Sequence, residues 1–105
     1  MIATFIKIRF GFEGLHCWPE APEEVSFLKN PHRHLFKVEA VMNVHHHDRE
    51  MEFFIVQKDL KQLVSKFGFD LGRMSCEEMA HKIYEHIRYV YNRSFVRVEV
   101  SEGGE

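Results

Sequence analysis

The stretch Met51-Glu52-Phe53-Phe54-Ile55-Val56-Gln57-Lys58-Asp59-Leu60-Lys61-Gln62-Leu63-Val64-Ser65-Lys66-Phe67-Gly68 decides the fold, because the hydrophobic period changes inside it. From Val56 on, the apolar residues Val56, Leu60, Leu63, Val64 and Phe67 recur at steps of four, three, one and three. That is the stripe of an amphipathic helix, and Gly68 supplies its C-terminal stop. Just before the stripe, the apolar run Met51 to Ile55 reads as a short strand. Upstream, Thr4 to Phe12 alternates, with Thr4, Ile6, Ile8, Phe10 and Phe12 on one face and Phe5, Lys7 and Arg9 on the other. His34 to Val44 alternates in the same way, with Phe36, Val38, Ala40, Met42 and Val44 together.

Between these strands, residues 18–31 hold all 3 prolines of the chain and read as a loop. His45-His46-His47-Asp48-Arg49-Glu50 reads as a polar turn. Downstream, Ser75 with Glu78 three residues later is a capping box. It opens a second helix with the stripe Met79, Ala80, Ile83, Ile87 and Val90, ended by Asn92 and Arg93. Phe95 to Ser101 is a last strand with Val96, Val98 and Val100 on one face. The order is β-β-(β)-α-α-β, the parenthesis marking Met51 to Ile55, which is either a third strand or a lead into the helix. This predicts an α+β fold, an antiparallel sheet with two helices packed on one face. Its exposed strand edges predict a homo-oligomer.

The 105 residues suffice for one domain, 1–105, with one modest core. The formal net charge of −2 lacks the basic excess that binding to nucleic acid or to an anionic membrane requires. No apolar run approaches the length of a membrane span, and the N-terminal stretch does not read as a signal peptide. Two cysteines, Cys17 and Cys76, are too few for a disulfide framework, so a reducing cytoplasm is the expected compartment.

Histidine is the outlier of the composition. Of 8, six fall between Leu15 and Asp48. His32 and His34 flank Arg33, so on a strand both imidazoles share a face, about 7 Å apart at Cα. His16 ends the first strand region, and antiparallel pairing would gather all three rings at one end of the sheet. Three neutral imidazoles with an open fourth position are the catalytic zinc pattern. The other reading, loop and edge histidines with no shared role, stays open on spacing alone.

The residues around these histidines carry a resemblance. Phe10-Gly11-Phe12-Glu13-Gly14-Leu15-His16 followed by His32-Arg33-His34 resembles the 6-pyruvoyltetrahydropterin and 6-carboxytetrahydropterin synthase family. Phe53-Phe54-Ile55 with Asp59-Leu60-Lys61, Met74-Ser75-Cys76-Glu77-Glu78-Met79-Ala80, and Val98-Glu99-Val100-Ser101-Glu102 resemble later segments of that family in order, so the likeness covers nearly the whole chain. It implies the tunnelling fold, in which subunits close their sheets into a shared barrel with active sites at subunit interfaces. It implies that His16, His32 and His34 hold zinc, that Glu102 receives the N–H edge of a pterin- or purine-like ligand, and that the reaction is a lyase step on dihydroneopterin triphosphate. Independently of the resemblance, Glu102 continues the even face of Val96, Val98 and Val100, and a carboxylate accepts two adjacent N–H donors in a bidentate contact.

The chain also departs from that family. Leu28 stands at the position of the synthases' catalytic cysteine. The loop between the helices is short, with Asp70 as the remnant of the family's Asp-His pair and Leu71 where its histidine would be. The ligand set is therefore kept and the proton relay is not. Asp70 remains a candidate catalytic group, Glu77 a second ligand-binding carboxylate, and His81 and His86 further candidates for proton transfer or solvated helix residues. Arg33 and Cys17 are expected on the strand faces opposite the histidines. Cys76 falls in the first turn of a helix, where the dipole lowers a thiol pKa, and reads as structural. Trp18, Pro19 and Pro22 are either a pocket rim or a clasp on the loop. The histidine run 45–47 is a solvated tip, an adventitious metal site or an oligomer contact. The alternative to a synthase-like protein is a non-enzymatic oligomeric α+β interaction module with no functional metal.

Overall fold

The computed structural model describes residues 3–46 and 48–103; His47 of the histidine run lies outside the described residues. The elements are β1 (Thr4–His16), β2 (His32–Val44), α1 (Phe53–Ser65), β3 (Asp70–Gly72), α2 (Cys76–Tyr91) and β4 (Val96–Glu102), with a 3-10 helix at Glu23–Lys29 in the long loop. Among the described residues one four-stranded sheet forms, in the order β3-β1-β2-β4. The class is α+β, as the two hydrophobic periods require.

β1 and β2 pair antiparallel over their full length, from Thr4 opposite Val44 to His16 opposite His32. β4 adds antiparallel to β2, with Val98 opposite Ala40 and Glu102 opposite Phe36. The alternation places Ile8, Phe10, Val38, Ala40 and Met42 on one face, where they form the core with Val56, Leu60 and Val64 of α1 and Ile83 and Ile87 of α2. Both helices cover that face. The other face is polar, with the Arg9 Nε 3.0 Å from the Glu39 carboxylate.

The sheet is mixed rather than wholly antiparallel. β2 runs back along β1, α1 runs forward again, and the chain leaves α1 through Gly68, whose φ of 82° is left-handed. It thereby arrives parallel to the end of β1. There the Leu15 N–H donates to the Phe69 carbonyl and the Cys17 N–H to the Gly72 carbonyl, both at 2.8 Å, and β3 is the result. Three residues are too short for any periodic signal.

Met51 to Ile55 is not a strand. Glu52 caps α1, its carboxylate accepting the Ile55 N–H at 2.8 Å, so the helix starts at Phe53. Met51 enters the core, whereas Phe54 and Ile55 are 71% and 68% exposed. Composition suggested a buried strand; local capping made an exposed first turn. The second helix begins as its sequence predicts, with Ser75 Oγ accepting the Glu78 N–H at 3.1 Å, and ends at Asn92 in a left-handed cap. Val90 of its predicted stripe is exposed. No helix among the described residues is long and apolar enough to cross a membrane.

Candidate metal centre and cleft

The β1–β2 register makes the site. His16 faces His32 directly, and His34 sits one step diagonal, opposite Gly14. The ring centroids lie 4.5 Å (His16–His32), 5.0 Å (His32–His34) and 5.6 Å (His16–His34) apart. One potential ligand atom from each ring lies within 4.8 Å of the others. Phe36, fully buried, forms the floor, its ring 5.1 Å from that of His16. Leu71 and Met79 complete the small apolar cluster beneath it. Gly14 makes room here: a Cβ would stand 2.5 Å from Leu71 Cδ1 and 3.3 Å from Phe36 Cε2, so Leu71 would have to shift.

Two of the three imidazoles have their tautomer fixed from behind. His16 Nδ1 lies 2.9 Å from the Met74 carbonyl and His32 Nδ1 2.9 Å from the Asn30 carbonyl. A carbonyl only accepts, so both Nδ1 atoms carry a proton, and in the neutral rings both Nε2 atoms present lone pairs. Metal-bound histidines are held in the same way, by an acceptor behind the ligating ring. His16 Nε2 is buried and has no hydrogen-bond partner among the described residues. It nevertheless faces the Glu102 carboxylate at 3.2 Å, and Glu102's other oxygen lies 3.3 Å from His34 Nε2. A lone pair and a carboxylate oxygen repel unless a proton or a cation stands between them. Three nitrogen donors around such a point form a donor set that fits a divalent metal of the zinc type.

A cleft of about 500 Å³ opens beside the cluster, within the size range of small-molecule sites. His16 and His32 line it, with Glu102, Glu77, Leu28 and Trp18 among its walls. The predicted groups therefore divide. His16, His32, His34 and Glu102 converge, and Glu77 lies along the same cleft. Asp70 does not line it: its Oδ1 accepts the Gly72 N–H at 3.0 Å and shapes the turn out of β3. His86 is occupied elsewhere, donating from Nε2 to Asp59 at 2.8 Å, and His81 pairs with Glu85. His45 and His46 lie exposed in the bend after β2, where the Glu50 carboxylate accepts both backbone N–H groups.

Arg33 points away from the histidines as its place on the strand demands, pairing with Glu13 and lying over the Phe69 ring. Cys17 does not stay on the opposite side. β1 ends at His16, the alternation ends with it, and Cys17 lines the cleft. Cys76 also departs from expectation. Burial first, and the Glu102 carboxylate second, push its thiol up to about 11, overriding the helix N-terminus. Its Sγ donates to Glu102 Oε1 at 3.7 Å. Sequence reasoning missed the Met74 and Asn30 carbonyls, which as backbone groups leave no residue signature. It also missed Arg73 and Glu20, an ion pair on the cleft wall whose members lie 53 residues apart. No protein-family model and no curated protein matches the chain.

Proposed function

We propose that the chain is a zinc-binding domain of the 6-pyruvoyl/6-carboxytetrahydropterin synthase type that takes a pterin- or purine-like ligand in the cleft beside His16, His32 and His34. One observation carries the reading. The buried His16 Nε2 lone pair, its tautomer fixed by the Met74 carbonyl, meets the nitrogens of His32 and His34 at the wall of a ligand-sized cleft. When bound there, zinc supplies a Lewis acid that polarises a ligand oxygen or lowers the pKa of water to near 7. The protein's own groups do the rest. Met74 and Asn30 orient the rings, Phe36 keeps water from beneath them, and Glu77 and Glu102 offer carboxylates to the N–H edge of a heterocycle.

Turnover, if the chain performs it, is that of a carbon–oxygen lyase on dihydroneopterin triphosphate. Against this stand the Leu28 side chain in the cleft and the four carboxylates Glu20, Glu77, Glu78 and Glu102 along its wall. The one guanidinium there, Arg73, is already paired with Glu20. Such a lining favours the ring over a phosphate chain. The tunnelling fold belongs to the same proposal: the two helices on one face and the unpaired outer edge of β4 among the described residues suit subunits that join sheet to sheet. Two free thiols suit a reducing cytoplasm.

The test is the metal content of the untagged protein and of His32→Ala, followed by titration with a pterin and a turnover assay. One zinc per chain, lost in the variant, and saturable pterin binding are expected. Absence of zinc, or zinc retained by His32→Ala, refutes the reading. The second reading, a non-enzymatic interaction module, draws on the exposed Phe54, Ile55 and Tyr89; it gains if metal is absent and the chain still assembles.

A further inference from the structure

We infer that Glu102 is a fourth metal ligand, so that the ligand-free centre is a closed three-histidine, one-carboxylate tetrahedron rather than an open one. The inference rests on the metal reading above and adds a role that the resemblance does not imply.

The geometry is specific. Glu102 ends β4 opposite Phe36, two residues along β2 from His34. From there its two oxygens lie against two different imidazoles, Oε1 at 3.2 Å from His16 Nε2 and Oε2 at 3.3 Å from His34 Nε2. Zinc–nitrogen and zinc–oxygen bonds of about 2.0–2.1 Å set the edges of a tetrahedron at about 3.3 Å. The carboxylate thus already stands at ligand-to-ligand distance from both rings. The His16 contact lacks hydrogen-bond geometry: its Nε2 is buried and has no hydrogen-bond partner among the described residues, while the Nδ1 proton on the other side of the ring goes to the Met74 carbonyl. The Cys76 thiol donates to Oε1 from behind, the kind of contact that orients a ligating carboxylate. Three neutral imidazoles and one carboxylate leave a divalent ion with a net charge of +1. An incoming ligand oxygen then reaches the metal only by displacing Glu102 or by raising the coordination number to five. Displacement would free the same carboxylate to receive the heterocycle's N–H edge.

The test uses cobalt(II) alone, with no pterin present. Wild-type protein should give the intense visible bands of four-coordinate cobalt, unchanged by added azide. Glu102→Gln should keep the fold, bind cobalt at least about 10- to 100-fold more weakly, and become azide-responsive. Should Glu102→Gln not fold, Glu102→Asp and the wild-type azide response still decide. A wild-type spectrum that shifts with azide, together with unchanged affinity in Glu102→Gln, overturns the fourth ligand while leaving the three-histidine centre standing. A thiolate-to-cobalt charge-transfer band that disappears in Cys76→Ser or Cys17→Ser gives the fourth position to sulfur and also overturns it. Wild-type protein that binds no cobalt overturns this inference and the metal reading together.

Discussion

Zinc should act on the folded state as well as on any ligand, and the size of the effect follows from linkage. The site exists only when β1 and β2 are paired in register, since His16 meets His32 and His34 across that ladder. The unfolded chain holds them 16 and 18 residues apart. At free zinc 100-fold above its dissociation constant, binding stabilises the fold by about 2.7 kcal/mol. A domain of this size shifts by about 4–8 °C per kcal/mol, so Tm should rise by about 10–20 °C. His32→Ala tests the cause. Its ring is half-buried and makes one hydrogen bond, to the Asn30 carbonyl, so its loss costs the metal-free fold about 0.5–1.5 kcal/mol. The variant should therefore unfold only a few degrees lower than wild type without metal and should lose nearly the whole zinc-induced shift. His45→Ala, altered in the exposed bend, should keep that shift. Each protein measured with zinc and with chelator serves as its own control, by scanning calorimetry or thermal circular dichroism. A zinc-induced rise that survives in His32→Ala but not in His45→Ala would refute the reasoning, as would a wild-type Tm that does not respond to zinc.

Three further outcomes follow from particular contacts. Gly14→Ala should cost about 1–3 kcal/mol, because its Cβ would overlap Leu71 Cδ1 and press on Phe36; urea unfolding of the metal-free protein measures it, and an unchanged midpoint would show that Leu71 moves aside freely. In metal-free protein the Cys76 thiol is held up to about 11 against an ordinary 9.0. The folded state therefore binds that proton more tightly, and stability should fall as pH rises from about 9 through 11; Cys76→Ser should remove this slope, and Glu102→Gln should bring thiolate absorbance to lower pH. Asp59 has the opposite sign. Burial alone would raise its carboxyl, but hydrogen bonds from Tyr91 and His86, with the charges of His86 and Lys66, hold it below its usual value. Its contribution is present above about pH 4 and is lost as pH falls through the lowered value, so Asp59→Asn should flatten the acid limb of a urea-midpoint profile.

Where a side chain repeats with a period, the fold was legible. Ile8, Phe10, Val38 and Met42 declare a strand face, and Val56, Leu60 and Val64 a helix, because burial on one side imposes spacing on the sequence. Asp70–Gly72 is a strand for another reason: two N–H groups at the end of β1 needed acceptors, and backbone demand carries no residue code. Met51 to Ile55 misleads because an apolar run implies burial, whereas Phe54 and Ile55 lie exposed on the first turn that Glu52 caps. The histidine cluster was legible only in part. Spacing places His32 and His34 on one face, but a long loop separates them from His16, so the register that brings that ring opposite His32 had to come from the structure. Cys17 was misplaced because alternation holds only while the strand lasts.

That same register ties the site to the core. A slip of one residue between β1 and β2 would turn His16 to the polar face and Ile8 and Phe10 with it. Packing of Ile8 opposite Ala40 and Phe10 opposite Val38 beneath the helices therefore positions the histidines from a distance. The two thirteen-residue strands run about 43 Å, whereas the thirteen residues of α1 and sixteen of α2 span about 20 and 24 Å. Each helix is therefore shorter than the ribbon it packs on. Among the described residues the buried apolar cluster at the histidine end is Phe36, Leu71 and Met79, and the N–H groups of Leu15 and Cys17 go to the carbonyls of Phe69 and Gly72, at either end of the three-residue β3. A cation held between His16, His32, His34 and Glu102 would join β1, β2 and β4 where the apolar core is thinnest. The sheet would thus set the metal site, and a bound metal would in turn fasten the histidine end of the sheet, where only the first turn of α2 packs beneath the rings.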